Sequence, residues 1–420
     1  MQAFDFMTEE TTAVGSVLYS EHLKRVAAAR LASFAGYLMP LWFSSIKAEH
    51  RAVREKAGLF DCTHMGVLEI SGPEALGFLQ TVTTNDASTL TSGKAQYSYI
   101  LDADGGVLDD IIVYRRAHEL YLLVINAGNE SKIKAYFSGL LEDDYCLEPN
   151  NPHRLLEFRP QIRDLHNLEG PESRVDIALQ GPMSMDILSR LVNGDSGQLR
   201  SLESFEFCET QVSDIPCLVA RTGYTGAKCS FELLVSRDRA ADIWRLLLSE
   251  GESLGLAPCG LGARDSLRIE AGLPLYGHEL AGEYDISPLE AGYGWAVKLD
   301  KPFFVGKAAM KQVQERQSTQ VVRISCTGGR GLRPVRQGDA VINHKQACVG
   351  WVLSSAAAGD RQIALALVDR DVAQENTTLG IYYLARHPGQ ASKGRLERVE
   401  RGQTVASDLS GLVVQRFARF

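Results

Sequence analysis

The sequence predicts an α+β protein of more than one domain that ends in a β-rich module. Three observations carry this. At 420 residues the chain is too long for one ordinary core. A strand–Gly-Pro–helix phrase occurs twice, at Val67-Leu68-Glu69-Ile70 through Leu79 and again at Ile177-Ala178-Leu179 through Leu188. From Thr319 onward the pattern becomes short strands divided by Gly, Asn and Asp.

In chain order, residues 1–16 are polar and read as a frayed end. From Leu18 the pattern is helical, until Gly36 and Pro40 break it. Ser71-Gly72-Pro73 turns the strand 67–70 into a helix, and Gln180-Gly181-Pro182 does the same for 177–179. The repeat suggests a duplicated α+β half of ferredoxin-like or split βαβ type. Between the halves, Glu148 to Glu172 is polar, proline-containing and irregular, an insertion or crossover. Phe231-Glu232-Leu233-Leu234-Val235 resumes a strand, followed by an amphipathic helix through Trp244 and Leu248. Ala263 to Leu273 is another helix, stopped by Gly272 and Pro274.

Composition excludes several classes. A net charge of −8 gives no basic surface for nucleic acid or anionic membrane. No apolar run is long enough to span a bilayer. The acidic start, Met1 to Glu10, lacks the features of a signal or transit peptide. Eight scattered cysteines without a Cys-x-x-Cys pair suit a reducing cytosol, and dispersed histidines argue against a metal site. The expectation is a cytoplasmic protein.

One stretch invites a chemical reading. In Asp102-Ala103-Asp104-Gly105-Gly106-Val107-Leu108-Asp109-Asp110-Ile111-Ile112-Val113-Tyr114 a glycine turn feeds a β-branched, apolar strand with two carboxylates at its mouth. Carboxylates are rarely buried without a partner. Taken alone, the pattern favours a solvated acid beside a hairpin turn; the rest of the chain reverses that preference.

A series of phrases runs in one order along residues 18–370. They are Phe34-Ala35-Gly36-Tyr37-Leu38-Met39-Pro40, Gly58-Leu59-Phe60-Asp61-Cys62-Thr63-His64-Met65-Gly66, Thr83-Thr84-Asn85-Asp86, Gly105-Gly106-Val107-Leu108-Asp109-Asp110 and Asn126-Ala127-Gly128-Asn129. Then come Arg221-Thr222-Gly223-Tyr224-Thr225-Gly226, Gly262-Ala263-Arg264-Asp265 through Gly277, Ser287-Pro288-Leu289-Glu290-Ala291-Gly292 and Gly329-Arg330-Gly331. By these phrases the chain resembles the tetrahydrofolate-dependent aminomethyltransferase and demethylase family typified by the glycine-cleavage T-proteins.

The resemblance implies a three-domain cloverleaf around a central folate hole, with Greek-key or ferredoxin-like α+β domains and a C-terminal β-barrel-like domain. The folate-binding region would be 18–310. Its first domain would combine roughly 18–60, 148–175 and 257–310, and its second 61–147 and 176–256; the β-rich domain would be 319–420. Asp109 matches the family's catalytic Asp, and Asp110 would be its structural partner. Glu232 matches the pterin-binding Glu, where a carboxylate suits an edge of N–H donors. Arg264 matches the Arg on the anionic tail. A cation in a helix's first turn opposes the macrodipole, so ligand contact would explain it. Met65 and Asn126 match pocket positions, Tyr97 and Tyr224 are aromatic wall candidates, and Trp295 matches an aromatic near the hole. Core packing is the competing explanation for Met65, Tyr97, Tyr224 and Trp295.

The implied reaction moves a one-carbon unit from aminomethyl-lipoyl H-protein to tetrahydrofolate with release of ammonia, by a monomeric enzyme. The alternative is a tetrahydrofolate-dependent demethylase acting on a small N-, S- or O-methyl donor. A non-enzymatic iron–sulfur assembly factor is disfavoured, because Arg221-Thr222-Gly223-Tyr224 stands where that branch carries Lys-Gly-Cys-Tyr. One departure concerns the site itself. Gly226-Ala227-Lys228-Cys229-Ser230-Phe231-Glu232 lacks the family's acidic pair and is one residue longer, which reshapes the turn before Glu232.

Overall fold

The computed structural model describes residues 2–7, 12–192, 196–326 and 333–420. Gly329-Arg330-Gly331 lies outside the described residues. The chain forms two compact units: Met1–Arg264 with Trp295–Lys311 and Phe420, and Asp265–Gly294 with Gln312–Arg419.

The first unit contains two large sheets. One has six strands in the order Phe207–Val212, Ile215–Ala220, Ser230–Val235, Val175–Gln180, Ala57–Cys62 and Leu256–Cys259. The other has five, in the order Lys94–Leu101, Val107–Ala117, Leu120–Ile125, Gly66–Ser71 and Gln161–Asp164. Each sheet has two apolar faces, as the alternation of side chains along its strands allows. In the six-stranded sheet Val175, Ile177, Leu179, Phe231, Leu233 and Val235 bury against Ile187, Leu188, Ile243, Trp244 and Leu247 of two helices, Ser184–Leu191 and Ala240–Gly251. In the five-stranded sheet Ile111, Val113 and Leu123 bury against Phe78, Leu79, Ile133 and Phe137 of helices Ala75–Val82 and Glu130–Leu141. The remaining faces pack on each other. Val67, Tyr114, Leu122 and Val124 of one sheet meet Phe207, Leu218, Ala220 and Leu234 of the other. The turn Cys62–Met65, closed by Met65 N–H to the Cys62 carbonyl at 3.0 Å, passes the chain from the first sheet to the second.

Two expectations need correction. The helical pattern from Leu18 survives as the short helix Tyr19–Leu23 and the single 3-10 turn Ala28–Arg30. Leu31–Phe34 and Tyr37–Pro40 form a hairpin, with Phe34 paired to Tyr37. Its two-residue turn places Ala35 and Gly36 at φ 48° and 82°, the left-handed geometry of tight hairpins and incompatible with a helix. The irregular stretch 148–172 contributes an edge strand, Gln161–Asp164, to the five-stranded sheet.

The second unit holds a closed barrel of six strands: Thr319–Cys326, Arg361–Asp369, Cys348–Ala358, Ala340–Ile342, Thr378–Tyr382 and Leu409–Val414, the last pairing back to the first. Closure leaves no free sheet edge, and Val322, Ile324, Val352, Ala364, Ala366, Ile381 and Val413 fill a core. The mixed α+β class and the β-barrel at the carboxy-terminal end match the sequence expectation.

Candidate active site

The predicted residues that the structure brings together lie in the first unit and form two groups. The first surrounds the two aspartates. Successive residues of a strand face opposite sides, so Asp109 and Asp110 part company at once. Asp109 lies on the side of Ile111 and Val113 and is 0 % exposed. Its carboxylate accepts the Asn126 backbone N–H at 3.0 Å, the Asn126 Nδ2 amide at 2.8 Å and the Asn129 Nδ2 amide at 2.5 Å. Burial, and then the neighbouring Asp110 charge, push its pKa up to about 7, with the asparagine donors offsetting part of the shift. Asp110 lies on the side of Ile112 and Tyr114 and is partly exposed. Its oxygens accept from the Tyr97 hydroxyl at 2.8 Å and from Asn126 Nδ2 at 2.9 Å. Burial raises its pKa too, and these donors oppose the rise.

Aromatic side chains extend this group. Tyr97 is partly exposed and Trp295 is 52 % exposed, their ring centroids 6.0 Å apart. An exposed indole beside a carboxylate-bound tyrosine is a surface for a flat ligand. Met65 is partly buried and packs with Ile112, Tyr114 and Val124 on the face that carries Asp110.

The second group sits on the six-stranded sheet. Glu232 is paired in register with Ala178 on one side and Ala220 on the other, so two methyl groups flank it and leave its carboxylate room. The Thr222 hydroxyl donates to Glu232. Burial raises the Glu232 pKa, offset by Thr222 and by the Arg264 guanidinium. Arg264 lies 5.2 Å from the Tyr224 ring centroid and donates from Nη1 to Cys62 Sγ at 2.7 Å. Burial works against its charge, but Cys62, Tyr224, Glu232 and Asp176 more than compensate and hold its pKa above the ordinary value. Burial pushes the Cys62 thiol well up, so it stays protonated. The altered turn has not removed Glu232 from Arg264. The two groups meet through Tyr114: after burial, the Glu232 charge is the main influence raising the Tyr114 phenol.

Several residues carried no role in the sequence reading. Asn129 closes the shell around Asp109. His64 is fully buried beside Phe34 and Tyr37, and burial and Arg264 lower its pKa to about 3. Asp176, buried next to Glu232 and Arg264, was legible as an acid inside the apolar run Val175–Leu179. Among the described residues no group of three or more His, Cys, Asp or Glu is placed to hold a metal ion, and no helix is long and apolar enough to cross a membrane.

Residues 18–301 match the family described as the GCVT N-terminal domain. The aminomethyltransferase of Desulforamulus reducens is 42 % identical over 338 residues, covering 80 % of this chain and 84 % of that protein. That of Chlorobium phaeobacteroides is 40 % identical over 335 residues, covering 79 % and 84 %. The crystal structure of the glycine cleavage system aminomethyltransferase T from Bartonella henselae superposes with a TM-score of 0.75 at 28 % identity, covering 97 % of this chain and all of that one. An ordered fold match and relatives at this identity over most of their length leave one conclusion: the chain belongs to the aminomethyltransferase family of the glycine cleavage system and is a one-carbon-group transferase.

Proposed function

We propose that this enzyme takes the aminomethyl group from the lipoyl arm of an H-protein, delivers its carbon to tetrahydrofolate and releases ammonia. The observation that supports this most is the nearness of Glu232, on one sheet face, to the guanidinium charge of Arg264, with the partly exposed Asp110 on the sheet packed against it. This donor set fits the folate. Glu232 would accept from the N–H edge of the pterin, Arg264 would meet the anionic tail of the folate, and Met65, Tyr97, Tyr224 and Trp295 would offer apolar and aromatic surface. When bound, tetrahydrofolate supplies the amine that receives the one-carbon unit. Residues 18–310 remain the proposed folate-binding region. The demethylase reading has no observation in its favour and is not carried further.

The acid–base role moves from Asp109 to Asp110. Asp109 is sealed from solvent and already holds three donors, so no substrate atom reaches it without dismantling the Asn126–Asn129 turn. Asp110 is accessible, and its raised pKa brings it closer to the range where a carboxyl group can both take and return a proton. Asp109 and Asn126 then act as positioning residues: Asp109 fixes Asn126, and one Asn126 amide touches both carboxylates. Tyr97 orients the second Asp110 oxygen.

Calorimetric titration with tetrahydrofolate should show one site per chain, and single-turnover assay with aminomethyl-loaded H-protein should yield ammonia and methylenetetrahydrofolate. Glu232→Ala should weaken binding by roughly 1–3 kcal/mol, the cost of leaving buried donors unpaired. Tetrahydrofolate binding without any transfer from H-protein would overturn the donor assignment. Wild-type affinity in Glu232→Ala would remove Glu232 from the site.

A further inference from the structure

Asp176 is 4 % exposed, and its Oδ1 atom has no hydrogen-bond partner. Such a group costs stability unless something else engages it. Its position is specific. Asp176 pairs in register with Leu234 and Cys62, while Glu232 pairs with Ala178 two residues along the same strand. The two acids are therefore diagonal neighbours on one sheet face, within reach of each other and of one ligand. Arg264 influences both.

Resting on the folate reading of this site, we propose that Asp176 is a specificity-determining residue: its unpartnered carboxyl oxygen makes a second hydrogen bond to the polar heterocycle that Glu232 holds. Two carboxyl groups around one guanidinium suit an uncharged, amino-substituted heterocycle only if a single negative charge is spread over the pair. The surroundings enforce this. Glu232 faces Asp176 from the next strand, Cys62 from the strand on its other side, Arg264 from the helix Leu261–Ala271 and Tyr114 from the opposing sheet, while Asp61, paired with Ile177 on the other face, acts on Asp176 only as a through-space charge. Burial first, then the Glu232 charge, raise the Asp176 pKa well above the carboxylate range, and Arg264 only partly offsets them. Both acids are pushed toward the protonated form, and a proton shared by the pair lets the unpartnered Asp176 oxygen donate as well as accept.

The test is tetrahydrofolate binding by wild type, Asp176→Asn and Asp176→Leu across pH 6–9, with thermal unfolding of each. Asparagine mimics the protonated acid, so Asp176→Asn should bind within about threefold of wild type at neutral pH. Wild-type affinity should fall as rising pH ionises the second carboxyl, and the Asn variant should lose that dependence. Asp176→Leu should bind about tenfold more weakly yet unfold at a higher temperature, because a buried unpaired oxygen has been replaced by methyl groups. A purely structural Asp176 would lower the unfolding temperature of both variants and leave the pH profile of binding in place, which overturns the proposal. Failure of the wild type to bind tetrahydrofolate removes the folate reading and this inference together; normal wild-type binding with unchanged variants removes the inference alone.

Discussion

Asp109 and Asp110 are one position apart on a strand yet differ in burial, the first sealed and the second partly exposed, because a strand turns alternate side chains to opposite faces. Asp110→Asn should leave the fold and most of the tetrahydrofolate affinity intact and lower single-turnover transfer by ~100- to 10,000-fold, the usual range for a lost acid–base group. Asp109→Ala should instead destabilise the protein, by about 1–3 kcal/mol for donors left unpaired, and disturb Asn126 with it. The raised Asp109 pKa has a signed consequence. Between about pH 4, where an unfolded Asp ionises, and about 7, where the folded one does, the folded state binds the extra proton. Its contribution to stability therefore declines as pH rises through that window. Urea unfolding of Asp109→Asn from pH 4 to 8 should lack this decline, and an Asn variant that tracks wild type would show that Asp109 is ionised throughout.

At the scale of elements, the two Gly-Pro turns look alike in sequence and differ in their surroundings. Gly72 and Gly181 both adopt positive φ, 101° and 120°, which side chains resist. A Cβ on Gly72 would meet nothing within 4 Å. One on Gly181 would sit 2.6 Å from the Val53 carbonyl oxygen and 2.8 Å from that of Lys56, backbone that cannot step aside. Gly72→Ala should cost about 1–3 kcal/mol of backbone strain. Gly181→Ala should cost clearly more, because overpacking adds to strain. Chemical denaturation of the two variants side by side decides this, and equal losses would mean that the helix Ile46–Glu55 and its C-terminal turn shift without penalty.

At the scale of the whole molecule, the chain leaves the first unit at Arg264 and returns to it for Trp295–Lys311. The returning segment is tied down by buried polar contacts. Lys301 Nζ donates to the Thr83 and Asn85 carbonyls at 2.7 and 2.9 Å, and the Ala296 carbonyl accepts from the Thr84 hydroxyl at 2.9 Å. Burial lowers the Lys301 pKa to about 7, partly offset by the Asp86 charge. From about pH 7 to about 10 the unfolded lysine keeps its proton while the folded one has lost it, so stability should rise with pH across that window. Lys301→Met should lower stability by about 1–3 kcal/mol, leaving two carbonyls unpaired. It should also remove the alkaline rise, measured by urea unfolding at pH 7 to 10. A rise that persists in the variant would place its origin elsewhere.

Local signals and long-range ones divide this protein cleanly. Strand–Gly-Pro–helix phrases, the amphipathic helix through Trp244 and the β-rich end were legible because periodicity and turn residues act over a few positions. Ordered short phrases named the family because their order and spacing along the chain are specific where each phrase alone is not. The hairpin at Leu31–Pro40 was missed, since a left-handed Ala-Gly turn carries little signal inside an apolar pattern. Burial is a property of the assembled sheets, and it decided the rest. Only the packed structure shows that Asp109 is saturated while Asp110 is accessible, and that Asp176, 56 residues before Glu232 in sequence, shares its face. Those assignments depend on which strands become neighbours and in what register, and no stretch of sequence encodes that by itself.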